Sequence, residues 1–411
     1  MTRTRTSSFA WPGGGKQYHK ISGAYVLNST QAAFSPYMRS ICQDSTGKGT
    51  DHTLNISHVD LSGIQPLNGS NVSGVHEVGF INWMPSFNTA APNPIIPSGL
   101  PSASVIATAT LARSNPSRPA VSVPNFLYEL KDLPGMIHEI GRLKLLRELG
   151  NKAKPHVAFD HAARGDTAKA AANAYLSYRM GWAPLISDLQ KMIQFQDKIN
   201  NRIKDLDVLF NQNGGLHRSV GKEILPGTNS KYPGGRSGSW TETLTSSGTV
   251  TIDSATSATI QVHRDLITTR KMWGTVRWTN PFSLWPRLNR ALLQAKARDL
   301  VFGYNVTPKM IWDAVPWSWM IDWFGNFGDY LDSTNNMLAL VPSIPNVMLW
   351  ERTTDSWTRI DPNSWVSGGS GTRVVETKLR SLTPASLSAG LPIFSADHFA
   401  TLGALALQRM R

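Results

Sequence analysis

Lys191, Lys198 and Arg202 fall at i, i+7 and i+11 in a stretch whose apolar residues keep helical spacing, so three cations share one helix face. The chemistry open to such a stripe is anion recognition. Lys and Arg neutralise phosphates and release condensed counterions, which makes the affinity salt-sensitive. Arg adds bidentate phosphate contacts and stacking on bases. Two further stripes have the same character. Arg287, Arg290 and Arg298 share one with Gln294, and Arg142, Lys144 and Arg147 accompany Ile140, Leu143 and Leu146, with Lys152 and Lys154 just beyond. One charged stripe is usually a solvated face. Three on helices of one bundle point to a polyanion, and folded RNA would be met through its shape, 2′-hydroxyls and unpaired loops.

Groupings suited to covalent chemistry do not emerge. Gly13-Gly14-Gly15-Lys16 lacks the P-loop spacing and the Ser or Thr after Lys. His52, His58 and His76 lack metal-type spacing. The single cysteine, Cys42, excludes an intramolecular disulfide and a multi-cysteine zinc cluster. Neither a Gly-x-Ser-x-Gly nor a His-Glu-x-x-His motif occurs. Arg164-Gly165-Asp166 reads as the start of a helix, and Asp188 and Asp322 read as packing and capping residues, not paired catalytic carboxylates. The expectation is no enzyme activity, no metal and no cofactor.

The elements that hold the cations follow from periodicity. From Pro184 to Phe210, Ile186, Leu189, Ile193, Ile199, Ile203, Leu206 and Phe210 mark an apolar helical face; near Pro286–Val301, Leu288, Leu292 and Ala295 do the same. A helix ends near Gly181 and Pro184 opens the next. Residues 136–150 and 166–180 are helical, and Ser395 caps a last helix through Phe399, Leu402 and Leu405. VPWSWMIDWFGNFGDYL (315–331) reads as one buried aromatic helix, with Trp317, Trp319 and Trp323 in the core and Asp322 tied to a neighbouring donor. Alternation predicts strands at VHEVGFINW (75–83) and SVIATATLA (104–112), a three-stranded meander over 239–278, and strands VMLWERTT, SWTRI and TRVVETKLR over 346–381.

Charge follows this division. The chain of 411 residues has a net charge of +13. Residues 131–222 and 262–310, largely helical in pattern, carry +6 and +7, whereas 51–130 carry −2; residues 1–50 of the sheet region carry +5. At 41% hydrophobic and 17% charged, the composition is that of a globular protein. The fold class expected is α+β and elongated, a helical bundle region plus an antiparallel sheet region, each from discontinuous segments. Residues 1–125, 223–280 and 336–394 form the sheet region; residues 126–222, 281–335 and 395–411 form the helical, RNA-facing region. The N-terminal residues do not read as a secretory signal, and no apolar run is long enough for a membrane helix. Trp240, Trp357 and Trp365, in Ser/Thr/Gly-rich surroundings, are candidates for an exposed recognition surface.

Three segments carry a resemblance. They are Gly181, Trp182, Pro184, Leu185, Ser187 and Asp188 in GWAPLISDL; Val315, Pro316, Trp317, Ser318, Trp319, Asp322 and Trp323 in VPWSWMIDW; and a terminal LGALALQRMR. In this order they resemble the maturation proteins of single-stranded RNA bacteriophages, the leviviruses. The resemblance does not extend to the first 125 residues or to the strand segments. It implies structural roles for Trp182, Pro184, Asp188, Pro316, Trp319, Asp322 and Trp323. It also implies one copy per virion, not a homo-oligomer, made in the host bacterial cytoplasm and without a membrane anchor. The helical region would hold the genomic single-stranded RNA near its 3′ end, beside phage coat protein dimers, and the sheet region would attach to a host pilus. The protein would then enter the cell with the RNA. A cellular RNA-binding protein with no viral role needs the same basic helices; a nuclease would need clustered acids or a metal site.

Overall fold

The computed structural model describes residues 2–11, 13–32, 34–45, 52–70, 78–84, 94, 101–120, 123, 169, 172–173, 175–176, 178–212, 215–220, 239–253, 258–281, 289–315, 317–360, 366–388 and 396–409. The fold is mixed α+β with antiparallel sheets. Along the chain run β1 (Thr2–Trp11), β2 (Lys16–Ile21), β3 (Ala24–Thr30), β4 (Phe34–Ser45), β5 (Leu54–Ser62), β6 (Leu67–Ser70), β7 (Val78–Trp83) and α1 (Ala103–Ser114). A π-helical turn, Tyr178–Trp182, precedes α2 (Ala183–Ile193), α3 (Phe195–Asn211), β8 (Leu216–Val220), β9 (Ser239–Asp253) and β10 (Ala258–Thr279). Then come α4 (Arg290–Phe302), α5 (Pro308–Ala314), α6 (Ser318–Ile321), α7 (Phe327–Thr334), β11 (Val341–Pro342), β12 (Asn346–Arg359), β13 (Val366–Ser367), β14 (Gly371–Leu382) and α8 (Ala396–Arg409). No described helix is long and apolar enough to cross a membrane.

The chain divides into two compact units, each from three segments. The first comprises Met1–Leu100, Arg236–Trp273 and Asn346–Thr383. Its larger sheet has the order β1-β4-β5-β14-β12-β10, with β9 also on β10; its smaller sheet runs β13-β6-β7-β2-β3. Leu67, Val78, Phe80, Ile260, Val262 and Val366 form an apolar cluster. The triple glycine makes the link between β1 and β2. Gly13 and Gly14 take left-handed backbone conformations, and a Cβ on Gly15 would lie 2.5 Å from the Asn82 carbonyl oxygen.

Polar residues also face inward here. In β12 the buried residues Thr353, Asp355 and Trp357 alternate along the strand. Asp355, 1% exposed, stands opposite buried Arg373 of β14 in the register. It accepts two hydrogen bonds of 2.6 Å from Nε and Nη2 of Arg264 on β10. That bond pair holds the Arg264 guanidinium above its ordinary pKa, whereas burial pushes Arg373 down and Asp355 opposes the shift. Further along the same two strands, Arg270 Nε donates to Glu351 at 2.8 Å.

Two strand expectations need correction. Residues 239–278 form two long strands instead of three, because Thr269-Arg270-Lys271 offers no turn chemistry and β10 runs through it. VMLWERTT and SWTRI likewise join into β12.

The second unit comprises Pro101–Gly235, Gly274–Pro345 and Pro384–Arg411. Its core joins Ile199, Leu206 and Leu209 of α3 with Leu293, Ala297, Leu300 and Val301 of α4, over Val276 and Trp278 of β10. SVIATATLA, expected as a strand, is helix α1, so the sheet region does not reach residue 125. Ser102 accepts from the Val105 N–H at 3.4 Å, and Ile106 through Ala112 are buried on all sides. The threonines are satisfied internally: Thr108 and Thr110 donate to the carbonyls of Ser104 and Ile106 at 2.9 and 2.7 Å. Alternation of β-branched residues therefore marked a fully buried segment, which period alone cannot assign.

The 315–331 segment is not one helix. Trp317 has φ +71° and breaks the chain between α5 and α6, and residues 322–326 separate α6 from α7. Trp317, Ile321 and Phe324 are 41%, 49% and 45% exposed, so the expected continuous apolar face does not form. Trp319 and Trp323 are half-buried and meet edge-on at 4.9 Å. Asp322 holds the break together: Oδ1 accepts from the Gly328 N–H at 2.9 Å and Oδ2 from the Trp312 indole at 3.4 Å. It caps the first turn of α7 from outside. Asp322→Ala is expected to lower the unfolding free energy by about 1–2 kcal/mol, as for other caps. An unchanged urea midpoint would remove this role.

Candidate nucleic-acid interface

Helix α3 is amphipathic, with Ile199, Leu206 and Leu209 buried, and its other side presents Lys198, Asn201, Arg202 and Asp205. Lys191 comes from the last turn of α2, and Arg113 from the last turn of α1. Arg118, Pro119 and Ala120 follow α1, where the Ala120 N–H donates to the Val301 carbonyl at 3.2 Å. These residues and Val301 line a cleft of about 440 Å³. Five of the lining side chains are cationic and one, Asp205, is acidic.

Four of the five cations are held in place. Arg113 and Arg118 reach Asp329 and Asp332 of α7 at 3.4 and 3.5 Å. Lys191 pairs with Asp188 one turn earlier at 2.6 Å. Arg202 donates to the carbonyls of Pro116 and of Arg118, the latter at 2.7 Å. Asp205 is engaged by Arg218. Among the described residues Lys198 has no carboxylate at ion-pair distance.

The proton affinities record this crowding. Burial lowers the Lys198 pKa, and Lys191 and Arg118 add to the shift while Asp188 opposes it. Burial lowers Arg202 as well, against Asp205 and with Arg218 and Arg118. Burial raises the Asp332 carboxyl, with Arg118 and Lys309 opposing. An anion in the cleft would relieve the repulsion among its cations.

Of the residues expected to bind RNA, the structure brings Lys191, Lys198 and Arg202 together. Arg202 does not project outward as the stripe predicted; its guanidinium anchors the 116–118 backbone and forms the cleft wall. Arg290 and Arg298 are exposed on α4 and do not line the cleft. The buried face of that helix is Leu293, Ala297, Leu300 and Val301, whereas Leu292 is 54% exposed and Ala295 is exposed too. Ile186 and Ile193 are also exposed, because the chain bends at Gln194 and the two helices do not share one face. Arg142, Lys144, Arg147, Lys152, Lys154, Arg287, Pro316, Trp365, Ser395 and the helix over 136–150 lie outside the described residues.

Other site expectations are revised. Asp188 is not a core residue; it neutralises Lys191. The helix does not end at Gly181. It widens through the π turn into α2, as suits Pro184, which has no N–H to return to the preceding turn. The side chains of Trp182, Pro184 and Trp240 lie outside the described residues; the Trp240 backbone pairs with Arg270 in the β9–β10 ladder. Trp357, expected on an exposed recognition surface, is 3% exposed, and a Cβ on facing Gly371 would lie 2.8 Å from its ring. In α8 the buried residues are His398, Thr401 and Ala404, and Phe399 is 62% exposed.

Sequence reasoning missed Arg113 and Arg118. Both sit in the block with net charge −2, so a segment sum concealed them; the RSNPSR string was their local signal. No protein-family model matches the chain, and no curated protein matches it either.

Proposed function

We propose that the protein is a virion maturation and attachment protein whose helical unit grips genomic single-stranded RNA. The observation that carries the reading is the cleft, where Lys191, Lys198 and Arg202 from two successive helices meet Arg113 and Arg118. Its ligand is then a phosphate-bearing chain, bound by charge and by Arg donors. The ordered GWAPLISDL, VPWSWMIDW and LGALALQRMR segments support the phage assignment. On this reading the protein occupies one position among coat protein dimers, the sheet unit attaches to a host pilus, and the protein enters the bacterium with its RNA. No catalytic step is assigned to it.

Lys198→Gln is expected to weaken RNA binding about tenfold and to reduce the slope of log affinity against log salt by about 0.7–1, the loss of one phosphate contact. Virions carrying it should adsorb to piliated cells as before. Equal loss of RNA binding and adsorption in a folded variant would overturn the division of labour. Failure of the protein to co-purify with coat protein shells would overturn the virion assignment.

A further inference from the structure

Counting each lining cation of the cleft with the carboxylate that pairs with it leaves two positive charges, on Lys198 and Arg202, unmatched by any carboxylate among the described residues. Among the described residues Arg202 bonds only to carbonyls, which fix its orientation without neutralising it. An internal phosphodiester brings one negative charge. A phosphate monoester brings about 1.5–2 near neutral pH and three acceptor oxygens. We propose that the cleft receives the dianionic phosphate monoester, the group at a phosphorylated nucleic-acid end or on a free nucleotide, in preference to an internal diester.

Size favours the same ligand. A volume of about 440 Å³ lies within the range that takes small molecules and suits one nucleotide, not a double helix. Arrangement favours it too. Arg113 and Arg118 are tethered to α7 and Arg202 to the 116–118 backbone, so the donors are positioned before the ligand arrives. The Asn201 amide, also in the lining, adds a neutral donor. A diester placed there would leave one of the two cations unmatched. The lowered proton affinity of Lys198 accords with a cation that has burial and like charges around it. The groups facing Lys198 are Lys191 and Asp188 on α2, Arg118 after α1, and Arg202 and Asp205 on its own helix.

This inference rests on the reading of the cleft as a phosphate site, and the test separates the two. The full chain is titrated with adenosine 5′-monophosphate and with two short RNAs of one sequence, one 5′-phosphorylated and one 5′-hydroxyl. The phosphorylated RNA is expected to bind about tenfold tighter, one matched charge being worth at least that factor. The preference should shrink as pH falls through about 6, where the monoester gains its second proton. Lys198→Gln should abolish it and Lys198→Arg should keep it. If adenosine monophosphate binds as tightly as the phosphorylated RNA, the group itself is the ligand; if it binds much more weakly, the ligand is a strand end. Equal binding of the two RNAs, weakened equally by Lys198→Gln, overturns the monoester proposal and leaves the RNA reading standing. Binding indifferent to Lys198→Gln overturns both.

Discussion

Asp355→Ala should destabilise the protein by about 3–5 kcal/mol, the usual consequence of removing one partner from a buried charge network. Its carboxylate is 1% exposed, takes both donors of Arg264 at 2.6 Å, and faces Arg373 in the β12–β14 register. Without it, Arg373 at 4% exposure loses the carboxylate whose field opposes its desolvation. Asp355→Asn keeps the shape and one acceptor while removing the charge, so a smaller loss of about 1.5–3 kcal/mol is expected. Chemical denaturation followed by far-UV circular dichroism measures both. A change under about 1 kcal/mol for Asp355→Ala would mean that the sheet tolerates the unmatched arginines. The Arg3–Asp44 pair between β1 and β4 provides the contrast. Arg3 at 52% and Arg264 at 45% exposure can both turn to water, but Asp44 is 19% exposed against 1% for Asp355. The prediction for Asp355 rests on the buried carboxylate and on Arg373. Arg3→Ala should leave the denaturation midpoint where it was.

Gly274→Ala should cost about 1–3 kcal/mol through overpacking. A Cβ at Gly274 would lie 1.8 Å from Thr110 Oγ1 and 2.8 Å from Thr110 Cβ. Thr110 cannot swing aside cheaply, because it is fully buried and its hydroxyl donates to the Ile106 carbonyl. Helix α1 would have to lift from β10, disturbing Trp278, whose indole donates to Ser114 Oγ at 3.1 Å. Gly248→Ala in β9 is the matched control. Among the described residues no atom lies within 4 Å of a Cβ there, and alanine should be neutral or slightly stabilising. Equal midpoints for the two variants would show that α1 yields without penalty.

Legibility of the sequence depended on how local the deciding interaction was. The alternating polar and apolar residues of β9, β10, β12 and β14 marked four strands of the larger sheet, and helical spacing marked α3 and its Lys198–Arg202 edge, whereas β1 to β6 went unread among Gly, Ser, Thr and Asn. What period could not supply was the environment. SVIATATLA alternates like a strand and is a helix because its threonines bond backward and all its sides are buried. The 315–331 pattern suits one helix, yet Trp317 takes a left-handed backbone and Asp322 closes onto Gly328. Both depend on contacts that spacing does not encode. The cleft was half legible: Lys191, Lys198 and Arg202 announced themselves as a stripe. Arg113 and Arg118 reach it only because Asn115 ties the segment after α1 to the Asp332 and Asn335 carbonyls, more than two hundred residues away in the chain.

The three-segment construction of each unit sets an order on biosynthesis. In the register Leu54 of β5 pairs with Arg380 of β14, so one edge of β5 waits for residues made more than three hundred positions later. At ordinary translation rates that interval is roughly 15–60 s. Loop closure over such a length adds entropy cost and slows the pairing step. During the wait β4 and β5 can form a hairpin, but the β5 edge that β14 will cover stays open to other nascent chains. Folding yield should therefore fall with expression rate and rise when translation is slowed or cooled, a liability written into the path of the chain and independent of the final contacts.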